Sequence, residues 1–127
     1  MDWVTFFLAL AIVESTNDPT KVGDLDLKHK AYGLYQIRQP YIDDVNEMFG
    51  TRYTIEHVLD KKIAEDIIYL YMRRYGPAYT SMTGKPLNWE AAHRMHNGGP
   101  KGFDKECTMP KWIKMKKELK KLCLPKP

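Results

Sequence analysis

Glu14 ends an almost unbroken apolar run, WVTFFLALAIV (3–13), and opens onto a polar stretch, STNDPTK (15–21). Cleaving a glycosidic bond requires a proton delivered to the leaving oxygen, so the donor must be a carboxyl that stays protonated near neutral pH. Burial beside apolar and aromatic groups makes such a donor, because low dielectric disfavours the charged form. A glutamate at the inner end of an apolar helix, next to a polar loop, is shielded and still within reach of a substrate. Taken alone, a glutamate at a helix end is more often a surface or capping group, so its neighbours decide the reading.

Other groups with chemical potential carry less. His93 and His96 are three apart on one helix, as metal ligands can be, but no Cys or Asp stands at a companion spacing, so neither a metal nor any other cofactor is expected. Asp43 and Asp44 begin a helix, where negative charge is favourable for local reasons. The tyrosines at 69, 71, 75 and 79 read as core residues with a wet hydroxyl edge; Tyr32 is the exception, because it abuts GLYQI (33–37). Cys107 and Cys123 are too few for a disulfide framework and leave a bridge and a free pair equally open.

The elements that must position Glu14 are mostly helices. Helical spacing and stop signals predict a first helix over Trp3–Ser15 that TNDP ends, since Pro19 disfavours helix in the residue before it. The polar segment 17–32 lacks periodicity and is expected to be a long loop of the substrate cleft. A helix over Tyr41–Phe49 buries Ile42, Val45, Met48 and Phe49 and stops at Gly50. A short helix starts at Thr54. A longer one follows Asp60, carries Ile63, Ile67 and Leu70 with Ala64, Ile68 and Tyr71 as a wide apolar stripe, and ends at YGP (75–77). Asn88 caps WEAAHRMH, which the glycines at 98 and 99 halt. A basic C-terminal helix, around 108–123, repeats Trp112, Met115, Leu119 and Leu122 among lysines. AYGLYQI is read as a short strand or a bend, so β structure is minimal.

At 127 residues the chain has the length of one domain, 1–127, with room for one core, which excludes cofactor-dependent folds of several hundred residues. A formal charge of +4, concentrated after Lys101, eases contact with an anionic polymer and does not say which. The N-terminal run lacks the positive leader and small-residue cleavage site of a secretory signal. It also falls short of the roughly 20 residues that cross a bilayer, so no transmembrane segment is expected; secretion stays open.

Three motifs in order, ES (14–15), GLYQI (33–37) and HNGGP (96–100), resemble the lytic transglycosylases and goose-type lysozymes, a peptidoglycan-cleaving superfamily. AIVES…DPTKVGD…AYGLYQI with AAHRMHNGGP is similar above all to the small members carried by phages and secretion systems. The resemblance spans residues 5–102 and implies a single compact lysozyme-like helical domain acting at the bacterial cell wall, secreted, periplasmic or virion-associated. It implies Glu14 as general acid and Ser15 as support for the acid or for the substrate's acetamido group. Gly33 and Gln36 would line the cleft, with Tyr32 and Tyr35 as walls, and His96, Asn97 and Gly98 would shape the subsite beside the acid. Tyr35 stands where the family commonly has methionine, and His96 where many members have tyrosine.

The resemblance also frames the nucleophile. If water attacks, inversion needs a second carboxylate about 6.5–9.5 Å from the acid. Asp24 is the candidate, between Glu14 and GLYQI and similar to the aspartate of the goose-type GD. If the substrate's own 6-hydroxyl attacks, Glu14 serves as acid and then base, leaving a 1,6-anhydro sugar. The transglycosylase is the favoured expectation, with peptidoglycan strands as partner and a virion or secretion assembly as a further one. The competing classes are a non-catalytic wall-binding protein and a basic nucleic-acid binder; no recognition motif accompanies the lysines, so no specific nucleic acid is expected.

Overall fold

The computed structural model describes residues 2–123. Among them lie five α-helices, α1 (Trp3–Ser15), α2 (Gln39–Phe49), α3 (Lys61–Thr83), α4 (Trp89–Gly98) and α5 (Met109–Cys123). A two-stranded antiparallel sheet, β1 (Val22–Gly23) with β2 (Ala31–Tyr32), is paired Val22 to Tyr32 and Gly23 to Ala31. The mostly helical expectation with minimal β structure holds. Cα packing divides the chain into two units, Glu14–Tyr75 and the described part of Met1–Val13 with Gly76–Pro127.

In the unit Glu14–Tyr75, α1 gives way to a reversal at Thr16 and Asn17, both left-handed (φ 56° and 61°). Asparagine tolerates that region, whereas a β-branched threonine there is strained by roughly 1–3 kcal/mol. The polar loop that follows is pinned rather than loose. Ser15 Oγ accepts the Asp18 N–H (3.1 Å), and the Asp18 carboxylate accepts both the N–H and the hydroxyl of Thr20 (2.9 and 2.8 Å). After β2, the residues 33–36 form a closed turn, because Tyr32 and Ile37 exchange both backbone bonds at 3.0 Å. Pro40 opens α2 near its first position and Gly50, left-handed, closes it on the Asn46 carbonyl. Tyr41, Ile42 and Val45 from α2 meet Ala64, Ile67, Ile68, Tyr71 and Met72 of α3 in the buried set of this unit. Met48, expected on that face, is exposed instead.

The helix expected to stop at YGP does not stop. α3 runs through Gly76 and Pro77 to Thr83, so the unit boundary falls inside it. An interior proline removes one helical bond and costs about 3 kcal/mol. Burial of Tyr79 one turn on, its ring edge-on to Phe103 at 5.0 Å, offsets part of that cost.

In the other unit, Asn88 caps α4 by accepting the Ala91 N–H (2.9 Å), as its sequence position predicts. Arg94 fastens the segment after α4. Its guanidinium donates to Thr108 Oγ1 (2.8 Å), the Lys105 carbonyl (2.9 Å) and Glu90 (2.9 Å). α5 buries Trp112, Met115 and Leu119 as expected, whereas Leu122 is exposed. Both cysteines are free, exposed thiols, which removes the bridge from the alternatives. Among the described residues no helix is long and apolar enough to cross a membrane.

Candidate active site

Glu14 is 3% exposed on the last turn of α1. Its backbone carbonyl, one of the acceptors that a helix end leaves without a partner, receives Lys21 Nζ at 3.1 Å. The same lysine's carbonyl accepts Gly33 N–H (2.8 Å) and Gln36 Nε2 (3.1 Å). One residue thus ties the end of α1 to the GLYQI turn.

An aromatic wall stands in this unit. Tyr41 and Tyr71 stack at 3.8 Å with planes 10° apart, and Tyr75 packs against Tyr71 at 4.8 Å with its ring tilted by 60°. The Tyr41 phenol is held well above the usual tyrosine range, by burial first, then by Tyr71 and by the charge of Glu14. Glu14 therefore lies within electrostatic reach of a fully packed phenol. Sequence reasoning did not connect Tyr41 to the acid; its only signal was its place on the apolar face of α2.

The turn residues are committed to structure. Gly33 has φ 82°, and a Cβ there would sit 2.6 Å from the Val58 carbonyl oxygen, so only glycine fits. What approaches Gly33 is backbone. Gln36, left-handed at φ 54°, spends its amide N–H groups on the Lys21 and Gly33 carbonyls (3.1 and 3.0 Å). It acts as a clamp on the turn. Tyr35 is a correction to the expected cleft wall: it is buried, and its hydroxyl donates to Glu65 Oε2 at 2.5 Å. The reason is the turn itself, which sends residue 35 into the core beside α3. Tyr32 is half-buried and lines a surface groove with Lys28, His29, Lys30, Gln39 and Ile55.

Asp24 is left-handed (φ 54°) and its carboxylate is paired with the Arg38 guanidinium. That carboxylate is therefore already engaged by a cation. Two residues on, Asp26 is exposed, with no hydrogen bond or ion pair to its carboxylate among the described residues. It was not singled out from sequence, where the GD resemblance pointed to Asp24 instead.

His96, Asn97 and Gly98 belong to the other unit. His96 is buried on α4. Asn97 Nδ2 lies 3.0 Å from Nε2 of buried His93, and Lys111 Nζ reaches Asn97 Oδ1 at 3.5 Å. Gly98 is explained by packing, since a Cβ would meet Thr108 Cγ2 at 2.6 Å. No group of three or more metal-ligating side chains gathers among the described residues.

No protein-family model matches the chain. It is 31% identical over 90 residues to a lysozyme of Magallana gigas, covering 71% of this chain and 61% of that protein. It is 30% identical over 93 residues to an invertebrate-type lysozyme of Ruditapes philippinarum, covering 73% and 64%. The chain thus spans a little over six-tenths of the length of the curated relatives it matches. Among solved structures, the lysozyme of Tapes japonica superposes with a TM-score of 0.74 at 28% identity, over 89% of this chain and 87% of that one. The inhibitor-bound lysozyme of Meretrix lusoria does so with a TM-score of 0.73 at 25% identity, over the same shares. The mostly helical chain with its small sheet has a lysozyme fold.

Proposed function

We propose that the chain is a lysozyme-type glycosidase cleaving the β-1,4 bond between N-acetylmuramic acid and N-acetylglucosamine in peptidoglycan. The observation that carries this reading is Glu14: a carboxyl almost sealed from water at the end of an apolar helix, in a chain whose curated relatives are named lysozymes. Glu14 donates its proton to the leaving oxygen. The stacked rings of Tyr41 and Tyr71 line the acid's surroundings with aromatic surface. Lys21 holds the helix end and the GLYQI turn in register, so the acid does not shift as substrate enters.

The relatives' name favours hydrolysis, in which water attacks the anomeric carbon with help from a second carboxylate. Asp24 and Asp26 are the carboxylates on the β1–β2 connection that can serve, and the Arg38 pairing favours Asp26 over Asp24. A second reading, transglycosylation in the manner of the lytic transglycosylases, also draws on that pairing. With Asp24 engaged, Glu14 alone can act as acid and then base while the substrate's 6-hydroxyl attacks. Ser15 and Tyr32, in the same unit as Glu14, are proposed as groups lining the sugar path. Gln36 and Gly33 act one step back, by shaping the turn.

Mass spectrometry of soluble products from purified peptidoglycan tests both readings, with Glu14→Gln, Asp24→Asn and Asp26→Asn beside the parent. Reducing-end products lost with Glu14→Gln and with one aspartate variant support the hydrolase and identify its second carboxylate. Products ending in 1,6-anhydromuramic acid, formed by both aspartate variants, support the transglycosylase. Absence of any released muropeptide from the folded parent at every pH overturns the proposal.

A further inference from the structure

α1 is apolar on every side, yet it is not covered on every side. Val4 is 70% exposed and Leu8 50% exposed, and with half-exposed Ile12 they repeat at i, i+4 and i+8. That spacing is one stripe, about 12 Å long at a rise of 1.5 Å per residue. A surface helix normally turns charged or polar residues outward along that line. Ile12 is also shared with a groove of about 240 Å³, whose other walls are Val13 and, from α5, Lys114, Lys117, Glu118 and Lys121. All of these residues belong to the same packing unit.

The charges beside the stripe are arranged, not scattered. Lys114, Lys117 and Lys121 fall at i, i+3 and i+7, on the side of α5 away from its buried Trp112, Met115 and Leu119. Exposed Ile113 stands among them. Glu118 is the one carboxylate in the groove, and it is answered by Lys121 Nζ at 3.3 Å. Lys114 and Lys117 have no carboxylate partner among the described residues. A groove with an apolar floor and a cationic wall fits a ligand that is itself apolar along one part and anionic at one end.

The geometry points to an anionic phospholipid surface as the partner of this face, with the α5 lysines on headgroup phosphates and Val4, Leu8 and Ile12 at the boundary with the acyl chains. This is how amphipathic helices lie on membranes, combining buried apolar area with attraction to anionic lipid. A nucleic acid would answer the lysines and leave the apolar stripe in water. A second copy of this chain, docked face to face, would cover the stripe and set one lysine row against another. Only an anionic amphiphile satisfies both halves. The inference is independent of the glycosidase reading, since none of these residues is placed in its machinery.

The test is cosedimentation of the full chain with vesicles of phosphatidylcholine alone or mixed equally with phosphatidylglycerol, at low and at physiological salt. The expected result is partitioning at least tenfold stronger onto the phosphatidylglycerol vesicles. It should fall tenfold or more in Leu8→Asp and, separately, in the triple variant Lys114→Glu, Lys117→Glu, Lys121→Glu. Lys116→Glu with Lys120→Glu, on another flank of α5, should keep most of the binding. Circular dichroism melting confirms that each variant is folded, and Val4→Asp, at the more exposed end of the stripe, replaces Leu8→Asp if that variant unfolds. Binding that ignores Leu8→Asp and Val4→Asp, or duplex DNA bound as tightly as the anionic vesicles, would overturn the lipid assignment in favour of a plain polyanion. Equal losses in the flank variant would reduce it to net charge. A concentration-dependent dimer that Leu8→Asp dissolves would assign the stripe to a second copy.

Discussion

Replacing Glu14 by glutamine separates the acid from the fold. The amide is nearly isosteric, keeps a hydrogen-bonding head, and leaves untouched the backbone carbonyl that Lys21 holds at 3.1 Å. What it loses is the transferable proton. General acid catalysis is worth about 10²–10⁴ in rate, so a loss near a thousandfold is expected, about 4 kcal/mol of transition-state stabilisation. Stability should move the other way. A carboxyl that is 3% exposed must be desolvated on folding, and its charged form resists this while an amide does not. The variant should therefore be at least as stable as the parent at neutral pH. Turbidity clearing of cell-wall suspensions gives the rate, and urea unfolding at pH 4 and pH 7 gives the stability. A variant keeping more than about a tenth of the parent rate would refute Glu14 as the acid. A folded-state loss of about 2 kcal/mol or more at neutral pH would instead make Glu14 a structural hydrogen-bonding group.

Tyr35→Phe should cost about 2 kcal/mol in urea unfolding, because it strands the Glu65 carboxylate, while the rate per folded molecule stays near that of the parent; a selective rise in KM would return Tyr35 to the cleft. Gly33→Ala should destabilise by roughly 3 kcal/mol, since a left-handed turn and a Val58 carbonyl 2.6 Å from the new methyl both resist it; an unchanged midpoint would contradict the turn geometry. Tyr35, Tyr41, Tyr71 and Tyr75 all hold their protons more tightly in the folded chain, chiefly through burial. Their contribution is complete below pH 10, near the unfolded tyrosine value, and drains away above it, so tyrosinate absorbance should rise in step with unfolding. Smooth ionisation of all the tyrosines in a still-folded chain would refute that packing.

The parts of this fold that local chemistry dictates were legible in the residues. α1 ends ahead of Pro19, Gly50 stops α2, Asn88 caps α4, and the Trp112, Met115, Leu119 stripe defines α5. The burial of Glu14 was legible for the same reason: the boundary between apolar run and polar loop is a property of neighbouring residues. What depended on distant partners was not. Pro77 looked like a helix end, because burial of Tyr79 beyond it is a tertiary effect. Tyr35 and Gln36 looked like cleft residues until the 32–37 bridge turned one into the core and folded the other's amide back onto Lys21. Asp24 could not be seen to pair with Arg38, fourteen positions away, from spacing alone. The exposure of Val4 and Leu8 was hidden in a run that reads as uniformly buried.

The two thiols bear on how the protein is made. Cys107 and Cys123 stand apart as exposed sulfhydryls, so no covalent cross-link restrains the unfolded chain and its loops close at full entropic cost. Among the described residues the lysozyme fold is held by packing, hydrogen bonds and ion pairs, with no disulfide. Refolding should follow one course with and without reductant, and each sulfhydryl is a ready point of attachment for a reporter dye that leaves the core undisturbed.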